Sequence, residues 1–295
     1  MKGYSEASAW YASRVLPCLF RSLIKRGVKD LRAVTEADVV SFALELKTMP
    51  SRRGTSLSSS SQSHWLTVIR NFFHFLVNNR LVLSNPARDL SLPRRQRLPR
   101  AILSEAQAER LMSTPSEKTL LGRRDRAILE TFYGTGIRLG ELLRLDLADV
   151  NLSDGRLLIR DGKGRKDRVV PLTGQAAKAL ACYLKEVRPE LGRDPLEPAV
   201  FLSLRGARMS GKRVNVLVKN HARAADILLN VTPHTMRHTC ATHLLKGGAD
   251  VRQVQELLGH RQLRTTALYT RVEVSDLRKV LERCHPREKG RGKAD

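Results

Sequence analysis

Residues 92–100 read Leu-Pro-Arg-Arg-Gln-Arg-Leu-Pro-Arg, and this stretch limits the fold more than any other. Two prolines bracket three arginines, and a fourth arginine follows. Proline keeps such a segment extended, and neighbouring cations cannot share a core. One continuous hydrophobic core therefore cannot run through it. The chain is expected to form two units, with residues 92–101 as a basic interdomain linker.

Length and composition agree with two units. The chain has 295 residues, of which 41% are hydrophobic, so each unit can bury a core and disorder throughout is excluded. No apolar run approaches the ~20 residues that cross a bilayer. The N-terminus, Met1-Lys2-Gly3-Tyr4-Ser5, lacks the apolar core of a signal peptide. A cytoplasmic protein with no membrane partner is expected. Cys18, Cys182, Cys240 and Cys284 are far apart and make no C-x-x-C pair, which argues for reduced thiols rather than a disulfide scaffold or cysteine-rich zinc module.

Charge narrows the partner. The formal net charge is +24, from 53 Lys and Arg against 29 Asp and Glu, which points to a polyanion. Nucleic acid leads; an anionic membrane surface or a ribosomal role are the alternatives. Ribosomal proteins are usually shorter and carry their basic residues in tails, whereas here the cations are spread through segments that read as folded. The linker is then either a solvated loop or a further contact with phosphates.

Periodicity supplies the elements. Residues 5–25 read as a helix, with Trp10, Val15, Leu19 and Leu23 near helical spacing. Thr35-Glu36-Ala37-Asp38 reads as a capping box opening a helix to about Leu46. A third helix is expected from about Ser60 to Asn79, carrying Trp65, Val68, Phe72, Phe75 and Leu76 on one side, and Asn85-Pro86 ends this all-helical unit, residues 1–91. The second unit, 102–285, opens on a capping box at Ser104 to Gln107, with helices at about 104–113, 121–133 and 139–145. The pattern then changes. Arg156 to Arg160 and Asp167 to Leu172 read as paired strands around a glycine-rich turn at 161–166. Ala177, Leu180, Ala181, Leu184 and Val187 mark another helix, Ala199 to Ser203 a third strand, and the chain from Lys212 to about Arg283 is helical. Residues 286–295 are a polar, basic tail that is expected to fray, as is His285 before it. The expected fold class is mainly α with a small antiparallel β-sheet (α+β).

The residues able to do chemistry lie in the second unit. Pro233 suits the first helical position and Thr232 its cap, so His234 and Arg237, three apart, share a helical face. Such a pair offers a proton acceptor and a fixed positive fork to one phosphate. His260 follows in a Gly-His turn, and Tyr269 lies nine residues later. Arg138 stands after the glycine turn at Gly136, with Glu141 one turn on to hold its guanidinium, and Lys163 sits at the tip of the hairpin turn. A zinc site is the competing reading of His234, His238, Cys240 and His243, but 234, 238 and 243 do not share one face and no H-E-x-x-H glutamate is present. His238 and His243 are read instead as satisfied core groups. No metal and no cofactor is expected.

Arg138, Lys163, His234-x-x-Arg237, His260 and Tyr269, in this order, resemble the tyrosine recombinase (phage integrase) family. Thr135-Gly136-Ile137-Arg138-Leu139-Gly140-Glu141-Leu142 looks like its first arginine box, and Gly162-Lys163-Gly164 with Arg168-Val169-Val170-Pro171-Leu172 like its lysine hairpin. Pro233 to Leu245, Ala249-Asp250 through His260, and Ala267-Leu268-Tyr269-Thr270 resemble its second box. Val68 to Phe73 and Ser84-Asn85-Pro86 are similar to the helical, SAM-like core-binding domain of that family. The likeness spans essentially the whole chain and is closest in style to Xer-type and small mobile-element recombinases.

The resemblance implies a site-specific recombinase that cuts and rejoins double-stranded DNA without metal or ATP. Tyr269 would be the nucleophile, leaving a 3′-phosphotyrosine. Arg138 and Arg237 would bind the non-bridging oxygens, and His234 would take the tyrosine proton. Lys163 would protonate the departing 5′-oxygen, His260 would support the phosphate, and Glu141 would anchor the arginines. The family works as a tetramer on two duplexes through a Holliday junction, here a homo- or hetero-tetramer with a possible accessory recombination protein. The helix near 273–284, with apolar Val272, Val274, Leu277, Val280 and Leu281, would dock on a neighbouring subunit or else pack on its own domain. Integration and excision, transposition and chromosome-dimer resolution would all use one such site. Two other readings compete: a basic architectural protein that binds DNA without cutting, and a type IB topoisomerase that relaxes supercoils as a monomer.

Overall fold

Three amphipathic helices make the N-terminal unit. α1 (Glu6–Lys25) buries Val15, Leu19 and Leu23, four residues apart along one face. α2 (Glu36–Thr48) begins at Thr35, whose hydroxyl accepts from the Asp38 N–H while the Asp38 carboxylate accepts from the Thr35 N–H at 2.9 Å. This reciprocal pair satisfies two otherwise orphaned donors of the first turn. α3 (Ser59–Asn78) departs from the expected stripe: its buried residues include Leu66, Ile69, Phe73 and Leu76, whereas Phe75 is 44% exposed. Trp65, Val68 and Phe72 are half-buried, and Trp10 on α1 is exposed. α3 has two adjacent apolar stripes one residue apart, and packing against α1 and α2 selects the second. The segment after α3 is tied back to it. Arg70 donates from Nε to the Ala87 carbonyl at 3.1 Å and from Nη2 to Leu90 at 2.5 Å, and Asn85 Nδ2 donates to the Arg70 carbonyl at 3.2 Å.

A computed structural model describes residues 6–51, 54–91, 101–160, 167–259 and 274–288. Its contacts divide the chain into Met1–Leu98 and Pro99–Asp295. The linker expected at 92–101 lies, except for Ala101, outside the described residues. No described helix is long and apolar enough to cross a membrane.

The second unit is built around one helix. α4 (Glu105–Ser113) carries the expected capping box, with Gln107 accepting from the Ser104 N–H at 2.9 Å. α5 (Leu120–Thr135) is buried continuously from Ala127 to Thr135, as a helix surrounded by others must be, with α7 and α10 among its neighbours. α6 (Leu139–Arg144) follows a single turn. The sheet is antiparallel in the order β1 (Val150–Asn151), β2 (Arg156–Ile159), β3 (Arg168–Pro171), with Leu157 opposite Val170 and Ile159 opposite Arg168. β1 has only two residues, too few for an alternating pattern to reveal it. α7 (Gly174–Cys182) runs through a π-helical turn, Tyr183–Val187, into α8 (Arg188–Leu191). The strand expected at Ala199 to Ser203 does not form; only isolated bridges occur there, Asp146 to Ala199 and Leu202 to Arg208. Scattered backbone bonds, such as Val200 N to Leu145 O at 2.9 Å and Met209 N to Phe201 O at 3.0 Å, are supplemented by side chains: Arg188 donates to the Ala199 and Glu197 carbonyls, and the Tyr183 hydroxyl donates to Val200 O and accepts from Leu202 N.

The remaining helices are α9 (Gly211–Ala224), α10 (Pro233–Lys246), α11 (Val251–Leu258) and α12 (Val274–Cys284). Leu277, Val280 and Leu281 of α12 are buried with Cys284 in the core of their own unit, so these residues of the stripe take the second of the two expected roles, packing on their own domain. One expectation is corrected here: the tail does not fray from His285. His285 is fully buried and its Nε2 donates to the Tyr133 carbonyl at 3.0 Å; Arg287 pairs with Glu130, and the Glu288 carboxylate accepts from the Gly174 N–H that opens α7. A buried carboxylate, Glu130, demands a cation, and Arg287 supplies it.

Candidate active site

The site is assembled from helix ends. α5 stops at Gly136 in the left-handed conformation (φ 62°), where a side chain would strike Leu258 and Cys240. The chain then reaches Arg138, the N-cap of α6. At the third position of that helix Glu141 accepts from the Arg138 backbone N–H at 2.8 Å and from its Nη1 at 2.7 Å. The capping acid and the guanidinium holder are thus one residue. Glu141 also accepts two bonds from Arg168 at the start of β3, at 3.0 and 2.9 Å. Burial would push the Glu141 carboxyl up; the bonds from Arg168 and Arg138 outweigh it and hold it down at about 2.

α11 closes the arrangement. Its last carbonyls have no partner within the helix and form the negative end of its dipole. Arg237, on α10, donates from Nη2 to Leu258 O at 2.7 Å and from Nη1 to Gly136 O at 2.6 Å. Arg138 Nη2 donates to the next carbonyl, Gly259 O, at 2.9 Å. The two arginines of the sequence motifs, 99 residues apart, are therefore anchored on successive carbonyls, and further N–H donors remain on each fork. Arg237 is buried while Arg138 is 31% exposed at its side chain. Burial, then the charge of Arg138, lowers Arg237 to about 10, so it stays protonated at neutral pH. Arg138, Arg168 and Arg237 carry three positive charges against the single charge of Glu141, an excess of two that favours a bound anion.

α10 holds its place through its far face. The Leu103 N–H donates to Thr239 Oγ1 at 3.1 Å, and the Leu103 carbonyl accepts from His243 Nε2 at 2.9 Å. His243 Nδ1 then accepts from the Tyr133 hydroxyl at 2.7 Å, the tautomer following from the carbonyl being acceptor only. His243 is thus the satisfied core histidine expected. His238 is not: it is half-buried and its Nε2 lies 2.9 Å from Nε2 of exposed His234, the two rings sharing a hydrogen bond at i, i+4. Cys240 is buried beside Arg237, and burial pushes its thiol up to about 12. His234, His238, Cys240 and His243 therefore point to three different surroundings and do not converge as metal ligands.

Lys163, His260 and Tyr269 lie outside the described residues. Lys163 belongs to the connection between β2 and β3, and His260 follows Gly259 in the chain. Of the sequence-derived site residues, the structure brings Arg138, Glu141 and Arg237 together and leaves His234 at the surface of the same helix as Arg237. Sequence reasoning missed Arg168 as a partner of Glu141. The signal available was its position at the start of a strand, directly after a segment rich in cations.

Comparison with known proteins follows the same lines. The profile of the phage integrase family matches residues 101–275. The chain is 43% identical over 235 residues to tyrosine recombinase XerC of Pelobacter propionicus, covering 79% of this chain and 76% of that one. It is 34% identical over 258 residues to tyrosine recombinase XerD of Staphylococcus saprophyticus, covering 88% and 87%. Among solved structures, the XerA recombinase is 28% identical with a TM-score of 0.52, covering 96% of this chain and 94% of that one. The Tn1549 transposon integrase in complex with transposon right end DNA shares the fold at 19% identity, with a TM-score of 0.69 over 96% and 95% of the two chains. With its arginines gathered on the end of α11 and its family match spanning most of the second unit, the chain belongs to the phage integrase family and is a Xer-like, tyrosine-type site-specific recombinase.

Proposed function

We propose that Tyr269 opens the reaction by attacking a backbone phosphorus of double-stranded DNA. Its Oη–P bond forms as the P–O5′ bond breaks, and the electron pair leaves on the 5′-oxygen. A free phenol has a pKa of about 10 and is mostly protonated at neutral pH. It therefore needs a proton acceptor, and His234 is exposed at the first turn of α10 to serve as one. Lys163 supplies a proton to the 5′-oxygen, and His260 hydrogen-bonds the phosphate. Arg138 and Arg237 bind the non-bridging oxygens, whose charge grows in the five-coordinate transition state. Glu141 touches no substrate; it aims Arg138. The product is a 3′-phosphotyrosyl ester, equal in bond type to the phosphodiester it replaces, so attack by a 5′-hydroxyl from another strand restores DNA without ATP. Strand exchange in pairs through a Holliday junction then calls for a homo- or hetero-tetramer on two duplexes. Integration and excision, transposition or chromosome-dimer resolution would each use this chemistry.

One observation carries the reading: two motif arginines rest on successive carbonyls at the end of α11, inside a cluster with surplus positive charge, ten residues before Tyr269 in the chain. An architectural protein would have no use for so costly a buried cation as Arg237. The test is a nicked suicide substrate carrying a candidate site. A denaturation-resistant protein–DNA adduct with the native chain, and none with Tyr269→Phe, is expected. Adduct at undiminished yield with Tyr269→Phe would refute the assignment, and binding with no adduct from the native chain would favour the architectural reading.

A further inference from the structure

We propose that Arg168 is a positioning residue for strand cleavage: it holds both oxygens of Glu141, and so fixes the carboxylate that aims Arg138. The inference rests on the cleavage chemistry above. Glu141 is buried, and Arg138 reaches one of its oxygens through the side chain and the other only through the backbone N–H. Arg168 alone grips both oxygens with a guanidinium fork, Nη1 to Oε1 at 3.0 Å and Nη2 to Oε2 at 2.9 Å. A fork on a carboxylate sets its plane as well as its place.

The surroundings of Arg168 are those of a fixed part rather than a surface ion pair. Its side chain is 16% exposed, and its Nε is buried with no hydrogen-bond partner among the described residues. A buried N–H left unmade is costly, and is tolerated where other contacts determine the geometry. One of those contacts is Gly259, in the left-handed conformation (φ 66°): a Cβ there would lie 3.0 Å from both Nε and Cζ of Arg168. The carbonyl of the same glycine accepts from Arg138. Arg138, Glu141, Arg168 and Gly259 thus form a closed ring of contacts. Arg168 begins β3 at the end of the connection that includes Lys163, and Gly259 precedes His260. The ring therefore links the arginine of the first box to the strand after the lysine segment and to the turn before the second histidine.

The charged groups facing Glu141 are Arg138 from the start of α6, Arg168 from β3 and Arg237 from α10, the last with Cys240 beside it. Removing Arg168 takes away the partner that contributes most to keeping Glu141 ionised. Glu141 would then gain a proton at a higher pH and release Arg138 as it did so.

The experiment is single-turnover adduct formation on the nicked substrate by the full chain, as a function of pH, with DNA affinity and urea unfolding measured alongside. Arg168→Gln is expected to lower the cleavage rate roughly 100-fold, the effect of about 1 Å of misplacement. Its DNA Kd should weaken far less than the rate falls, since the fork of Arg168 is spent on Glu141 and only its charge is lost to the anion site. The acid limb of its rate profile should move to higher pH. Arg168→Lys, which keeps the charge but not the fork, should return the acid limb towards that of the native chain while cleaving roughly tenfold more slowly than it. The proposal is overturned if Arg168→Gln cleaves at the native rate with an unmoved acid limb, if its loss of rate is matched by its loss of affinity, or if the two variants have the same pH profile. Should Arg168→Gln prove unfolded in the urea assay, Arg168→Lys decides alone, and a native rate there is fatal. A native chain that forms no adduct refutes the underlying chemistry and the positioning role with it, a result distinct from a cleaving native chain with an equally active variant.

Discussion

Gly136→Ala tests the claim that the arginine site is built on helix ends. Two costs are expected. The first is conformational: φ is 62°, and a left-handed alanine costs about 1–2 kcal/mol. The second is steric. The new Cβ would lie 2.4 Å from Leu258 Cδ2 and 3.3 Å from Cys240 Sγ. Reaching an ordinary contact of 3.4 Å means a movement of about 1 Å, and Leu258, 1% exposed in the core, has little room to turn. Overpacking of this kind costs about 1–3 kcal/mol, for a total of about 2–5 kcal/mol. Gly248→Ala separates the two: φ there is 92°, but nothing lies within 4 Å of the added carbon, so only the conformational cost applies. Denaturant unfolding of both variants should show Gly136→Ala the less stable by about 1–3 kcal/mol. Function should separate further. The carbonyls of Gly136 and Leu258 are the two anchors of Arg237, so the displacement falls on the guanidinium proposed to bind the phosphate, and adduct formation should slow roughly 100-fold. Gly248→Ala should cleave at the native rate. Equal destabilisation by both variants, with cleavage unimpaired in Gly136→Ala, would refute the reasoning.

Two further predictions concern the C-terminal segment. His285 is lowered to about 4 by burial, so it is neutral when folded and protonates more readily when unfolded. A depressed folded value means that stability is present above the unfolded pKa of about 6.5 and is lost as pH falls towards 4. His285→Gln should flatten the decline of urea midpoint over that range; an unchanged slope would exclude His285 as its source. Arg287→Ala leaves Glu130 buried without its main cation and should cost about 3–5 kcal/mol, whereas Glu130→Gln combined with Arg287→Met should recover most of it. A single-variant loss under 1 kcal/mol would show that the segment is not tied down by this pair.

Local chemistry was legible in the sequence wherever it is written in consecutive residues. Both capping boxes, at Thr35 and Ser104, the glycine turn at Gly136 and the Arg138–Glu141 pair follow from spacing alone, because each involves partners within a few residues of one another, and the paired strands follow because one short turn joins them. The recombinase motifs were legible for the same reason. What spacing left open was the choice between near-equivalent surfaces and the identity of distant partners. α3 presents two apolar stripes, and only the position of α1 and α2 makes Phe73 buried and Phe75 exposed. Ala199 to Ser203 is apolar enough for a strand, yet its backbone groups are divided between scattered backbone bonds and the side chains of Tyr183 and Arg188. By composition Arg287 belongs to a solvated tail, and in the fold the buried Glu130 claims it. Above all, Arg168 and Glu141, or Arg237 and Gly136, lie 27 and 101 residues apart. Which guanidinium completes a buried carboxylate, and which carbonyl anchors a buried arginine, depends on charge and geometry that exist only once α5, α6, β3, α10 and α11 have met.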